Sequence, residues 1–568
     1  MKVFPDHGAR PRTGGVLAWV VGLPLFLFAL GLALGLRGTR PRAELSFNNG
    51  TEPASLDPAV ATGLPEGRVL RCLYEGLVVK HPRTLEPLPG MAERWHLSAD
   101  RRVYTFELRT SRDGSISEDG SIGARWSNGA PVVAQDFVAS WQRLLDPRTG
   151  SGYGKELWRV RGAREWSTTL DEQGAPRLPF DGVGLRARDE RTLVVELDAP
   201  WASFLDLVSL PALLPVHVPT LEALRAAHPS DWQRRWLRPR ELVTNGPFRV
   251  LEHRVNERLR LERNPDYWDA ARVGLATLDV WALESPVTAL NLYEAGELDL
   301  LTEVPATLVP RLLERPDFRP APILGTYFYR FNTARPPLDD ARVRRALALV
   351  LPREEIARNV AGAGEVPAWS FVPPGLADYA GALLGTGAAA ADAATARELL
   401  AQAGYGPQGR PLPTLELSYN TQGRHREIAE VAAETWQREL GLRVALAGRE
   451  TKTFLDSQRS RDYDISRSSW IGDWPDAANF LEIFASESEN NRTGWADADY
   501  DALLARAAAA APAERLELLA RAEARLLDQA PLAPVFYYVS RNLVRPGLLG
   551  FEPNVLDEHP PKFWSWAR

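Results

Sequence analysis

The sequence predicts an α/β protein assembled from several domains, and three observations carry that reading. The chain has 568 residues, enough for about three to five domains at the usual 100–200 residues each. Alternating, strand-like segments dominate its first half. Its second half holds helical patterns that stop at glycine and lead into strands. A composition of 45% apolar and 25% charged residues is ordinary for a folded soluble protein, which argues against bulk disorder and against a multi-span membrane protein. The 43 glycines and 45 prolines call for many turns and long connections.

Taken in order, residues 16–36 form a 21-residue run without a charge, long enough to cross a bilayer as one helix. Lys2, Arg10 and Arg12 precede it and Arg37, Arg40 and Arg42 follow, so the positive-inside rule does not orient it. The run is longer than the apolar core of about 7–15 residues in a secretory signal, yet Ala29 and Ala33 suit a cleavage site. It reads as a retained anchor or a cleaved signal, and either places the body outside the cytoplasm. Residues 103–108 (VYTFEL) alternate, with Tyr104, Phe106 and Leu108 on one face; 193–197 and 248–251 read likewise. The polar stretch 112–123 (RDGSISEDGSIG) reads as a surface insertion and lacks the alternating acids of a calcium loop.

Residues 340–351 carry a helical apolar stripe, with Asp339 or Asp340 able to cap its start. The Ala-rich stretch 385–396 reads as a mobile connection into a helix over 394–403 that ends at Gly404. A helix over 426–440 ends at Gly441, as a left-handed cap does, and 442–446 reads as a strand. That succession predicts a crossover unit in a mixed sheet. Residues 500–529 read as two helices broken near Pro512, and 535–539 (VFYYV) as a strand.

The formal net charge is −6. Since the first 42 residues are basic, the remainder is more acidic still, with no basic run of the kind nucleic acid requires. The single cysteine, Cys72, rules out an internal disulfide and a Cys-based zinc site; it reads as a buried free thiol. No G-x-S-x-G, Walker loop, H-E-x-x-H or G-x-G-x-x-G occurs, and the eight histidines are scattered. With 73 carboxylates, acid pairs are everywhere, so counting alone does not decide a glycosidase. The expectation is a binding protein rather than an enzyme, with no metal and no cofactor.

Several phrases are more specific than these patterns. They include NNGTEPASLDP (48–58), AERWHLSADRRVYTFELR (92–109), WSNGAPVVAQDFVASWQRLLDP (126–147), ERNPDYWD (262–269) and KTFLDSQRSRDYDISRSSWIGDWPD (452–476). The chain from about residue 44 to its end resembles the bacterial oligopeptide-binding proteins of peptide ABC transporters, most of all the oligopeptide and murein-peptide branch. The resemblance implies a three-lobed, periplasmic-binding-protein-like α/β fold. Lobe I would collect 44–74, 203–324 and 541–568, lobe II would span 75–202, and lobe III would span 325–540, after a leader of 1–43. It implies a monomeric extracytoplasmic receptor that closes on short peptides and delivers them to a membrane permease with its ATPases, tethered through residues 16–36 if these are retained.

The resemblance also implies site residues. Ser469, Trp470 and Ile471 would face Thr62, Gly63 and Leu64 and hold the peptide backbone by strand addition. Asp473 would take the ligand's α-ammonium, and Arg467 and His425 its carboxylate. Tyr153, Trp470, Phe328 and Tyr538 would be pocket-wall aromatics. On the residues alone, Asp473 also reads as a turn aspartate beside Pro475, Arg467 as an ion-pair partner of Asp462 or Asp464, and His425 as a surface histidine before a helix. The chain departs from the family pattern at several positions. Thr62 and Arg330 stand in place of acids, Thr451 in place of a tryptophan and Ile323 in place of a tyrosine. Gly325 and Ile471 stand where some relatives hold a disulfide. Fewer acids and an added arginine imply a preference for neutral or acidic peptide side chains.

Overall fold

The computed structural model describes residues 42–109, 123–376, 378–421 and 424–567. The apolar run at 16–36 and nearly all of the polar stretch at 112–123 lie outside them. Among the described residues no helix is long and apolar enough to cross a membrane.

One mixed sheet runs through these residues. From one edge its strands are Val444–Arg449, Leu415–Asn420, Ile465–Ile471, Phe318–Phe331, Leu532–Val544, Leu300–Leu301, Leu45–Asn48, Thr277–Trp281, Arg258–Arg263 and Phe248–Arg254. A separate four-stranded sheet orders Ala92–Leu97, Val103–Leu108, Thr192–Glu196 and Leu185–Ala187. In Val103–Leu108 every second residue is buried, which is the face the alternation predicts. This small sheet does not have a core of its own. Phe106 and Leu193 belong to the same buried cluster as Leu45, Phe47 and Leu278 of the large sheet. A second cluster centres on Phe328, Leu417, Trp436 and Leu526, and a third, smaller one on Tyr293, Leu301 and Leu543.

The predicted crossover is present. Leu415–Asn420 and Val444–Arg449 pair in parallel, joined by the helix His425–Leu440, which Gly441 closes at φ 70°. Only a residue without a Cβ takes that conformation at little cost. Asp340 caps Ala341–Leu349 by accepting from the Arg342 amide, and the break before Pro512 separates Ala498–Ala509 from Pro512–Gln529. Cys72 is buried, and its thiol donates to the Arg68 carbonyl at 3.3 Å.

One expectation is corrected. The Ala-rich stretch is not a connection up to residue 396, because a helix spans Ala389–Gln402. Alanine is the best helix former, and Asp392 anchors the start by accepting from the Thr386 amide and hydroxyl at 2.9 Å.

Two long strands, Phe318–Phe331 and Leu532–Val544, link the clusters: Phe318 and Leu543 lie in the third, Phe328 and Val535 in the second. Their pairing shifts register between Pro322 and Thr326, where Pro320 and Pro322 have no amide hydrogen to offer a partner strand.

Candidate functional site

The Ile465–Ile471 strand is paired unequally along its length. On one side it runs antiparallel to Phe318–Phe331, from Phe331↔Ile465 to Gly325↔Ile471. On the other, Leu415–Asn420 covers only Ile465 and Ser466. Backbone groups alternate sides along a strand. Gly472 donates to the Leu324 carbonyl at 2.7 Å, and the Arg467 carbonyl accepts from Gln458 Nε2 at 2.7 Å. The odd-numbered residues therefore face away from the paired neighbour. Ser469 and Ile471 present amide and carbonyl groups that no described residue occupies.

A cleft of about 360 Å³ opens beside this edge, lined by Thr62, Gly63, Leu64, Tyr153, Ile471 and Asp473, among others. The structure thus brings six of the expected residues into one space from three distant parts of the chain. Leu64 is 74% exposed and Ile471 52%, apolar surface that a ligand or closure would cover. Gly63 has extended backbone, φ −94°, so its torsion is not what requires glycine. A Cβ there would collide with Glu66 Oε2, and Glu66 is engaged by the Ala54 amide at 2.7 Å. Ile471 lies opposite Gly325, with Cδ1 in the space that a Cβ on Gly325 would need.

Asp473 is exposed to this cleft. No described residue gives it a hydrogen bond or an ion pair. Partial burial in the cleft wall raises its carboxyl above the usual carboxylate range, opposed by the charge of Lys80. The turn aspartate beside Pro475 is instead Asp476, which accepts from the Ala478 amide at 2.8 Å and pairs with Arg515 at 2.8 Å.

Arg467 likewise has no carboxylate partner among the described residues. Asp462 and Asp464 both go to Arg335, at 3.1 Å each. The Arg467 guanidinium lies 4.9 Å over the Tyr327 ring and donates to the Tyr538 hydroxyl at 3.2 Å. Arg467 Nε and His425 Nδ1 are buried without hydrogen-bond partners among the described residues. Orphaned polar atoms of this kind are costly, and an arriving anion or water would satisfy them. His425 is the first residue of its helix, 5.6 Å ring to ring from Tyr327. Burial, aided by Arg467, pushes its imidazole down to about 4, so it is neutral at pH 7.

Trp470 points to the opposite face of the strand and donates to Asn479 Oδ1 at 3.1 Å. Phe328 departs from expectation. It is fully buried, 5.1 Å from the Phe371 ring and 6.1 Å from that of Phe484, and does not line the cleft. Its strand is buried on both faces from Leu324 onward, so it belongs to the core. Of the departures noted in the sequence, Ile323 lines the cleft, Thr451 begins the helix Thr451–Ser460, and Arg330 is buried. Arg71 and Glu558 also line the cleft, paired at 2.7 Å; no local pattern in the sequence marks either.

A larger cavity of about 550 Å³ lies elsewhere, beside Asp57, Arg143, Arg148 and Trp236. Its charged residues include two arginines that are neutralised within the fold, Arg143 by Asp57 and Arg148 by Asp146. The smaller cleft differs in holding a carboxylate, Asp473, that no described residue neutralises.

Comparison with known proteins identifies the family of the chain. The family described as bacterial extracellular solute-binding proteins, family 5 Middle, matches residues 86–492. The periplasmic murein peptide-binding protein MppA of Escherichia coli is 36% identical over 521 residues, covering 90% of this chain and 91% of that protein. The periplasmic oligopeptide-binding protein OppA of Salmonella typhimurium is 35% identical over 525 residues, covering 90% of each. The unliganded open form of the MppA murein tripeptide-binding protein superposes with a TM-score of 0.80 at 34% identity, covering 93% of this chain and 98% of that one. The chain belongs to the bacterial extracellular solute-binding proteins of family 5.

Proposed function

We propose that the protein is an extracytoplasmic receptor that captures short peptides in the cleft between Thr62–Leu64 and Ser469–Ile471 and delivers them to an ABC permease. The observation that carries this reading is a strand edge, free at Ser469 and Ile471, between a carboxylate without a partner and a guanidinium without a counter-charge among the described residues. An extended peptide can add to that edge through groups every peptide shares. Asp473 takes the α-ammonium, and Arg467 with His425 takes the carboxylate, in charge-assisted hydrogen bonds. Tyr153, Tyr538 and Trp470 flank the bound chain. Water between ligand side chains and these walls costs at most about 2 kcal/mol each, so weak sequence selectivity is compatible with tight binding. The named ligands of the relatives, oligopeptides and murein peptide, support the same substrate class.

Residues 75–202 act as a lobe that moves with lobe I, since the two share one buried cluster. Lobe III, 325–540, closes against them by bending at the register shift near Pro322. A ligand touching both walls stabilises the closed form by its extra contacts there. Residues 1–43 export the protein or tether it beside the permease, and the receptor acts as a monomer.

Calorimetry with Ala-Ala-Ala and its N-acetylated form tests the reading. The free peptide is expected to bind at least a hundredfold more tightly. Equal affinity for the two, or peptide-free protein in native mass spectrometry after peptide addition, would sink it.

A further inference from the structure

The turn that carries Asp473 is held by two separate cores. Gly472 is buried, Asp473 exposed and Trp474 buried. On one side of Asp473, the Gly472 amide donates to the Leu324 carbonyl at 2.7 Å, and a Cβ on Gly472 would fall on Leu324 and Phe480. Both of those residues belong to the second buried cluster. Trp474, on the other side, does not. It is 8% exposed and lies in the first cluster, with Phe106, Trp201 and Phe204. That cluster also holds Ala61, Leu210 and Ala212, which line the cleft on the wall facing Asp473. Ala477, Ala478 and Phe480, just after Trp474, return to the second cluster. A single side chain thus leaves its own wall of the cleft and is buried in the opposite one.

Three contacts surround this plug. Trp474 meets Trp201 edge-on, with ring centroids 5.7 Å apart and planes at 87°, a favoured arrangement for aromatic pairs. Arg159 lies 4.2 Å over the same Trp201 ring and reaches Glu482 at 3.7 Å. Asp476 accepts from the Ser203 hydroxyl on one side and pairs with Arg515 at 2.8 Å on the other. The Asp476 amide also donates to the Trp474 carbonyl at 2.8 Å, which closes the turn behind the ring. The Arg159–Glu482 pair is solvent-exposed on both sides and contributes little, so the buried tryptophan pair is the main anchor. Close-packed side chains hold their neighbours to one arrangement. Asp473 stands between two anchored residues, Gly472 and Trp474, with its own side chain facing the cleft.

We infer that Trp474 is the positioning residue of Asp473: docked on Trp201, it holds the carboxylate toward the facing wall, where a peptide's α-ammonium arrives. This rests on the peptide reading above and supplies the means by which the amine is recognised in one place. A charge-assisted hydrogen bond depends steeply on geometry, and a binding residue is effective when packing fixes it to within about 0.5 Å. Asp473 has no side-chain partner among the described residues to orient it, so its placement comes from the backbone on either side.

Calorimetry with Ala-Ala-Ala and its N-acetylated form decides it, read as the ratio of the two affinities within each variant. In Trp474→Ala the ratio is expected to fall at least tenfold, because only the free peptide depends on a well-placed carboxylate. Trp474→Phe keeps an aromatic ring in the same core and is expected to stay within threefold of the parent ratio. Trp201→Leu leaves residue 474 untouched and keeps the core filled; it is expected to lower the ratio at least threefold. A tryptophan that served the fold alone would weaken both peptides equally. An unchanged ratio in Trp474→Ala therefore overturns the inference, and so does one in Trp201→Leu should Trp474→Ala not fold. The parent protein separates the two levels. If it binds both peptides equally, the peptide reading fails and the positioning with it. If its ratio is large and survives in the variants, the positioning fails alone.

Discussion

Asp473 and Asp476 lie three residues apart in one turn and differ in everything but their chemistry. Asp476 is fully engaged: it caps Ala478, accepts from the Ser203 hydroxyl and pairs with Arg515. Asp473 opens onto the cleft with no partner among the described residues. Arg335 and Arg467 repeat the contrast, one neutralised by two aspartates and the other by none among the described residues. Folding has satisfied one acid and one base of each pair and left the other with unmet charge. Asp473 thus contributes no contact to the fold, which points to an arriving partner.

The sharpest way to break the comparison is to remove each aspartate. Asp476→Ala leaves Arg515, 11% exposed at its side chain, without its counter-charge. The expected loss of stability is about 3–5 kcal/mol, read by denaturant unfolding. Asp473→Ala is expected to leave stability within about 0.5 kcal/mol and to weaken Ala-Ala-Ala binding by about 3 kcal/mol. If the two variants swap phenotypes, the division between structural and functional acid is wrong. The arginines give a smaller version. Arg467→Lys loses the planar fork and is expected to weaken binding by about 2 kcal/mol. Arg335→Lys, at an exposed pair, is expected to change stability by less than about 1 kcal/mol and binding not at all.

Much of this fold is legible in the sequence, and the reasons are local. The 103–108 alternation, the Asp340 cap and the Gly441 stop each encode a structure within a few residues, and each is present. Phe328 falls in the core rather than the cleft wall because its strand is buried on both faces, and the period-2 pattern that separates wall from core vanishes there. The start of the helix at 389 escapes sequence reading because a run of alanines has no apolar stripe. The site is a different matter. Nothing in G-D-W-P-D says which aspartate is free; that depends on Ser203 and Arg515, remote in sequence. The likeness to a known family singles out Asp473, and the structure adds its lack of partners. Arg71 and Glu558, which pair in the cleft wall, carry no sequence signal at all, since they meet only once distant segments fold together.

Glu523 extends the contrast to a third kind of carboxylate, buried and satisfied by neutral donors. It accepts from the Phe371 and Val372 amides at 2.9 and 2.8 Å and from the Tyr379 hydroxyl at 2.8 Å. Burial outweighs these bonds and pushes its carboxyl up to about 7. The folded state therefore holds this proton more tightly than the unfolded chain, where glutamate titrates near about 4.3. Its contribution to stability is full below that pH and declines as pH rises through about 7. The decline amounts to a few kcal/mol, on the order of 1.4 kcal/mol for each tenfold difference in proton affinity between the two states. Glu523→Gln is expected to flatten the stability profile between about pH 4.3 and 7. An unchanged slope in urea unfolding across that window would assign the pH dependence to another group.

His425 offers the smallest and most local test. In the free protein its imidazole titrates at about 4, held down by burial and by the neighbouring Arg467 charge. A peptide carboxylate docked between the two would supply the missing negative charge and raise that value. Binding then takes up part of a proton. The affinity contributed by this residue grows as pH falls through the bound value toward the free one, by about 1.4 kcal/mol for each tenfold gain in the ring's proton affinity. NMR titration of the His425 ring with and without Ala-Ala-Ala reads the change directly, and the C-terminally amidated peptide serves as control. An upward move with the free acid but not with the amide places the carboxylate at His425. The same small move with both would mean that the ring senses only closure of the cleft, leaving Arg467 to hold the carboxylate alone.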